Sequence, residues 1–276
     1  MSVPFLDLRR LSRVGAEAAL ARVLDRGRFI LSDEVEQFEA AFAAYCGTRH
    51  AVGVASGTDA ITVALLAAGI GPGDEVITAP NTCVPTLVGI ERAGARPVLA
   101  DVDPTTYTLD PGEVERRLTP RTRAIMPVHL YGQAADMGSL LELARARGLL
   151  VVEDCAQAHG AEHAGRRAGS LGAAGAFSFY PTKNLGCLGD GGAITTDDDE
   201  IAAQARLLRN YGERERFNHV LRGLNSRLDE FQAAVLSLRL GSLDAGNARR
   251  RDLAAGYTEA LHGSAVICPS RSLVPA

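Results

Sequence analysis

Apolar residues along the chain fall into two alternating rhythms. The first two segments repeat at helical spacing. Residues 17–24 carry Ala18, Ala21 and Leu24 on one stripe and stop at Gly27. A second segment begins at Ser32, a good N-cap residue, runs through Val35, Phe38 and Phe42, and stops near Gly47. From Ala51 onward, short apolar runs alternate with helical stretches. The runs are 51–54, 75–78, 97–100, 124–128, 149–152, 175–179 and 192–196, and helices are predicted at 59–68, 84–93, 111–118 and 139–147. Two further helices are predicted after Thr196, at 199–209 and from Ser226 or Leu228 to Leu243. The run 266–269 reads as the start of another strand.

Strands separated by helices need crossover connections, and these build a mainly parallel central sheet covered by helices on both faces. The predicted fold class is α/β. Ligands on such sheets bind past the carboxyl ends of the strands. Ser56-Gly57-Thr58, His129, Asp154 and Ser178 all stand at or just past predicted strand ends, which makes them candidates.

Composition narrows the field. The 276 residues are 46% hydrophobic and 22% charged, ordinary values for a soluble globular chain with an ample core. A net charge of -4 supplies no basic footprint and argues against a nucleic-acid partner. The opening Met1-Ser2-Val3-Pro4-Phe5-Leu6-Asp7 lacks the layout of a signal peptide, and no apolar run is long enough to span a membrane. The five cysteines are scattered with no C-x-x-C pair, so neither a zinc ribbon nor a disulfide framework is expected. A cytoplasmic location follows as the expectation.

Chemistry concentrates around Lys183 and Asp154. A lone lysine in a Gly- and Pro-rich turn reads as a surface residue. Here hydroxyls at Ser178 and Thr182 stand nearby, and glycines follow at 186, 189, 191 and 192, where small residues let backbone approach a ligand. Asp154 ends an apolar strand, with Gln157 and His159 beside it to hydrogen-bond a ring substituent. A lysine that closes a Schiff base on an aldehyde and an acid that pairs with a pyridinium nitrogen suit pyridoxal 5'-phosphate. Ser56-Gly57-Thr58-Asp59 joins a strand to a helix, so it reads either as a simple helix cap or as a phosphate site. Gly69-Ile70-Gly71-Pro72-Gly73 follows a helix and is rejected as a dinucleotide motif. A metal site at Glu153, Asp154, His159, Glu162 and His163 is disfavoured, because Gly160 and Gly165 break the helix that its spacing needs.

The chain resembles the DegT/DnrJ/EryC1/StrS family of sugar aminotransferases. The matching segments, in order, are Ala55-Ser56-Gly57-Thr58-Asp59-Ala60, Pro127-Val128-His129-Leu130-Tyr131-Gly132-Gln133 and Glu153-Asp154-Cys155-Ala156-Gln157-Ala158-His159-Gly160. They continue with Phe177-Ser178-Phe179-Tyr180-Pro181-Thr182-Lys183-Asn184-Leu185-Gly186, Gly189-Asp190-Gly191-Gly192-Ala193 and Leu224-Asn225-Ser226-Arg227-Leu228-Asp229-Glu230-Phe231-Gln232-Ala233-Ala234. The resemblance runs from Phe5 to about Leu261. It implies an aspartate aminotransferase-like fold (fold type I) and a homodimer with shared active sites. It also implies a reaction that moves nitrogen from an amino acid, L-glutamate, to a nucleotide-linked keto sugar. Lys183 is implied as the Schiff-base lysine and Asp154 as the pyridinium partner. Gln157 would lie near the phenolic oxygen, Gly57, Thr58 and Ser178 would hold the phosphate, and Asn225 would reach the neighbouring subunit's phosphate.

Two departures from the family pattern stand out. Cys83 occupies the place where members commonly stack an aromatic residue on the cofactor. The chain also stops where a small carboxyl-terminal domain is expected, which divides it into a cofactor-binding domain, 1–245, and an incomplete start of that small domain, 246–276. Relatives that are sugar dehydratases carry histidine in place of the lysine, and Lys183 disfavours that chemistry. Amination of a cyclitol ketone with glutamine as donor, and a non-catalytic truncated family member, stay open as alternatives.

Overall fold

Side-chain alternation across the strands sets the layers of the fold. The computed structural model describes residues 6–8 and 15–269. Two helices come first, α1 (Ala16–Arg26) and α2 (Asp33–Cys46). Then follow β1 (His50–Val54), α3 (Gly57–Ala67), β2 (Glu75–Thr78), α4 (Val84–Arg92), β3 (Arg96–Leu99), α5 (Pro111–Arg117), β4 (Thr122–Met126), α6 (Met137–Arg147) and β5 (Leu150–Asp154). A small hairpin, β6 (Glu162–His163) and β7 (Arg166–Arg167), precedes β8 (Ala174–Ser178) and β9 (Gly192–Thr196). The chain continues through α7 (Asp199–Leu208), a second small hairpin, β10 (Glu213–Glu215) and β11 (Asn218–His219), and then α8 (Glu230–Leu240) and α9 (Leu243–Ala260).

Seven strands form one sheet in the order β1-β9-β8-β5-β4-β2-β3. Pairings from β3 through β2, β4 and β5 to β8 are parallel, and β9 runs antiparallel to both β8 and β1. The reason lies in the connections. The parallel strands are joined by helices or long excursions, whereas β8 returns to β9 through a short loop without a helix. That loop carries Lys183.

The period of two sorts the core. Val52, Val76, Met126, Val152, Ala176 and Ile194 point to one face, where α3 and α7 supply Ala64, Leu65, Ile201 and Ala205. Ala51, Phe177 and Ala193 point to the other face, against Phe38 and Phe42 of α2 and Leu236 of α8. Further along that second face, Ile77, Ile125 and Val151 meet Met137 and Leu140 of α6. Phe42 packs edge-on against Phe177 and Phe179, with ring centroids 4.9 and 5.3 Å away.

Helix ends follow local chemistry. Asp110, Asp136 and Asp198 cap α5, α6 and α7 through their carboxylates, and Gly27, Gly47 and Gly148 end α1, α2 and α6 in the left-handed conformation.

Four expectations are corrected. The buried stripe of α1 is Ala16, Ala19 and Val23, packed near Ala234, while Leu24 faces out at 62% exposure. Ser32 does not cap α2 with its hydroxyl. Glu230 takes the backbone N–H groups of Ser32, Glu34 and Val35 instead, at 2.7, 2.8 and 3.2 Å. Among the described residues three helices, not two, follow Thr196, because α8 ends at Gly241 and α9 continues as a separate helix. Residues 266–269 form no strand.

Candidate active site

A cavity of about 340 Å³ opens past the carboxyl ends of β5 and β8 and is lined by Lys183, Asp154, Gln157, Gly57, Thr58 and Ser178, together with Cys83 and Thr86. Residues scattered over more than a hundred positions of sequence thus face one space.

Lys183 owes its place to a tight turn. After β8, Phe179 N–H donates to Gly191 O at 2.7 Å, and Lys183 N–H donates to Tyr180 O at 2.8 Å. Cys187 closes the turn twice, with its backbone N–H on Phe179 O at 2.8 Å and its thiol on Phe179 O and Gly189 O at 3.0 Å each. Burial pushes that thiol up to about 11, so it serves as a neutral donor. A side chain at Gly186 would meet Pro181 O at 2.5 Å, so the turn closes only around glycine there. The Lys183 amine itself holds no hydrogen bond or ion pair among the described residues. It is free to meet a ligand.

Strand parity separates the two neighbouring acids. Asp154 shares the face of Val152 and looks into the cavity. Its Oδ2 accepts from the Thr86 hydroxyl at 2.7 Å and its Oδ1 from Ala156 N–H at 3.0 Å. Thr86 in turn bonds Thr82 at 2.7 Å, so the two hydroxyls form a short relay behind the carboxylate. Glu153 shares the face of Val151 and turns away, and its carboxylate is wholly taken up by backbone N–H groups and His129. Thr86 was not among the sequence candidates. Its signal was present, since Thr82 and Thr86 stand four residues apart at a predicted helix start and so share a face.

The start of α3 is both cap and cradle. Ser56 Oγ accepts from Asp59 N–H at 3.1 Å, which leaves the N–H groups of Gly57 and Thr58 undirected at the positive end of the helix. Ser178 presses against them: a Cβ at Gly57 would stand 2.5 Å from the Ser178 Cβ. Gly57→Ala is therefore expected to push Ser178 out of line and weaken binding of a phosphorylated ligand by about tenfold or more, the loss of one charge-assisted hydrogen bond. Titration of the purified variant with pyridoxal phosphate, read by fluorescence, checks this.

Gln157 is oriented by its neighbour. Tyr131, held at φ 59, aims its N–H at Gln157 Oε1 at 2.8 Å, so the amide nitrogen is left to face the cavity. His129 is corrected to a structural residue. It is fully buried, donates from Nε2 to Glu153 at 2.9 Å and accepts Ala135 N–H on Nδ1 at 3.1 Å. The buried trio His129, Glu153 and Cys155 comes close enough to suggest a metal, yet the Glu153 oxygens are occupied by four donors.

A model of the DegT/DnrJ/EryC1/StrS aminotransferase family matches residues 13–272. The chain belongs to this family. It is similar to the dTDP-3-amino-3,4,6-trideoxy-alpha-D-glucose transaminase of Streptomyces venezuelae, at 55% identity over 264 residues that cover 95% of this chain and 70% of that protein. It is also similar to the dTDP-3-amino-3,6-dideoxy-alpha-D-galactopyranose transaminase of Aneurinibacillus thermoaerophilus, at 50% identity over 97% of this chain and 75% of that protein. Among solved structures, S. venezuelae DesV in complex with a ketimine intermediate superposes with a TM-score of 0.96 at 53% identity, covering 99% of this chain and 74% of that one. The α/β, aminotransferase-like fold expected from the sequence is thereby established, and with it the activity class: a sugar aminotransferase.

Cys83 lines the cavity at the N-cap of α4 and is exposed. Asn225 does not line it. That residue sits exposed on a strap whose neighbour Ser226 bonds Asp59 of α3 at 2.7 Å, and Asp59 also accepts from Arg92 at 2.6 Å. No helix among the described residues is long and apolar enough to cross a membrane.

Proposed function

We propose that this chain is a pyridoxal phosphate-dependent aminotransferase that moves nitrogen from L-glutamate to a keto sugar carried on a nucleotide. The observation that carries the reading is the convergence of Lys183 and Asp154 on one cavity. The residues present fit the cofactor. Gly57, Thr58 and Ser178 would offer donors to a phosphate in a cradle that a Cβ at Gly57 would fill. Asp154 would pair with the ring nitrogen, Gln157 would offer its amide to the ring oxygen, and Cys83 would stand against the ring, where a thiol gives a smaller contact than an aromatic. When bound, the cofactor supplies an electron sink for the bond broken at the substrate carbon.

The protein's own groups do the rest. Asp154, braced by Thr86 and Ala156, stays in place to pair with the ring nitrogen. Lys183 Nζ, which holds no hydrogen bond or ion pair among the described residues, would move the proton at the substrate carbon. Asn225 is exposed and outside its own cavity, which agrees with a reach into a second copy and a homodimer with shared sites. Residues 1–245 form the cofactor-binding domain in this reading, and 246–276 begin the small carboxyl-terminal one. All five cysteines are unpaired, in keeping with the cytoplasm.

The two transaminases named above, from Streptomyces and Aneurinibacillus, are named for nitrogen at sugar carbon 3. A dTDP-linked 3-keto sugar is therefore the first acceptor to test. Protein loaded with cofactor is incubated with L-glutamate and that acceptor, and products are read by mass spectrometry. Formation of 2-oxoglutarate and the amino sugar is expected. Amination of an inosose by glutamine, with no reaction of the nucleotide sugar, would replace this reading.

A further inference from the structure

Lys183 has a second cavity on its other side. It measures about 450 Å³, lies between segments 157–161 and 182–184 and the first half of α9, and shares Lys183 and Gln157 with the cofactor cavity. Three cationic side chains line it, Lys183, Arg250 and Arg251, and no carboxylate does. The ion pairs of the described residues include neither guanidinium.

The cavity is built rather than incidental. Asn184 Nδ2 donates to Asn247 Oδ1 at 2.8 Å, and Asn247 Nδ2 donates to His159 O at 2.7 Å, which ties α9 to the Lys183 turn. Arg250 and Arg251 follow Asn247 by three and four residues, so they share its face of the helix. In the wall stands His159, 1% exposed, its ring 5.4 and 5.8 Å from those of Phe177 and Phe179. Neither of its ring nitrogens has a hydrogen-bond partner among the described residues, and the Ser178 backbone lies near but outside bonding geometry. Burial, then the positive fields of Lys183 and Arg250, hold this imidazole neutral, with its pKa down at about 3. Three cationic side chains thus border one cavity with no carboxylate to balance them, and an anion held there would be paired by them.

We propose that this cavity binds an anionic oxygen group of a substrate, a carboxylate or a phosphate, on Arg250 and Arg251. The guanidinium fork suits either group through paired N–H donors. Two sources share this chemistry, the carboxylate of the amino donor and the diphosphate of the nucleotide. The inference rests on the reading of Lys183 as the amine at which nitrogen is exchanged, because the cavity then holds the substrate against that amine.

Isothermal titration of the cofactor-loaded chain with glutarate, a dicarboxylate that has no nitrogen to transfer, and separately with dTDP, tests the proposal. Arg250→Ala and Arg251→Ala are expected to weaken one of these ligands by about tenfold or more, as expected for a lost charge-assisted contact. Arg249→Ala, on the same helix but outside the cavity, is expected to leave both unchanged. Both tested arginines are exposed, so their removal leaves the fold intact. Weakening of glutarate assigns the donor carboxylate, and weakening of dTDP alone assigns the diphosphate. Unchanged affinity for both ligands, equal losses in Arg249→Ala, or a wild type that binds neither ligand overturns the site. Cofactor content is read separately by absorbance: a chain that takes up no cofactor yet binds glutarate through these arginines loses the Lys183 reading and keeps the anion site.

Discussion

Lys183→Ala is expected to lower the rate of nitrogen transfer by on the order of 10³-fold or more, the scale of a removed proton-transfer group. His159 lines the neighbouring cavity, but it is buried and held neutral. Lys183→Arg is expected to fail as fully, since a guanidinium keeps its proton and cannot condense with an aldehyde. The phosphate cradle and Asp154 remain in both variants, so each is expected to bind cofactor without a covalent link. Borohydride reduction followed by peptide mass mapping separates these states. The wild type should carry the label on Lys183, and the variants should carry none. Label found on another lysine, or wild-type turnover in Lys183→Ala, would remove the assignment.

Glu153→Ala is expected to destabilise the fold by about 3–5 kcal/mol, the range for a broken buried charge network. The carboxylate is fully buried. Its Oε1 accepts from Leu171 and Gly172 N–H at 2.8 Å each, and its Oε2 accepts from Gly169 N–H and His129 Nε2 at 2.9 Å each. Alanine leaves all four donors buried without a partner. The pH dependence has a definite sign. Burial raises the Glu153 pKa, but the hydrogen bond from His129, with those from the Gly169 and Gly172 N–H groups, outweighs burial and holds it below the usual carboxylate range. A depressed native pKa adds stability above the unfolded-state value of about 4.3, and that stability drains away as pH falls below it. Urea midpoints at pH 7 and pH 4 test this. Wild type should lose stability between them, and Glu153→Gln, weaker at pH 7, should lose less. Equal losses in the two proteins would show that Glu153 does not carry the effect.

These two acids also show how far a one-dimensional reading reaches. Glu153 and Asp154 are adjacent, both end an apolar strand, and both belong to a matching motif. The sequence offers Asp154 as the ligand acid and places both acids in a disfavoured metal cluster. The strand sends them to opposite faces, one to the cavity with Thr86 and one to the N–H groups of the 169–172 turn. His129 followed Glu153 into the interior for the same reason. Standing at a strand end placed it near the site in sequence, and the direction of its ring took it away.

Local chemistry by itself determined the order and type of the seven sheet strands and of the helices through α7, because aspartate caps, glycine stops and period-two apolar runs act within a few residues. It also determined the lysine turn and the Ser56-Gly57-Thr58 helix start, whose geometry follows from glycine and from free N–H groups. Tertiary structure alone decided what depends on distant partners. Glu230 caps a helix that begins almost two hundred residues earlier, α1 buries the stripe that meets α8 instead of the equally apolar one beside it, and Thr86 gains its role only when α4 crosses Asp154. Each of these choices was between near-equal local options. Packing against a partner far along the chain separated them, and that free energy exists only once the sheet has assembled.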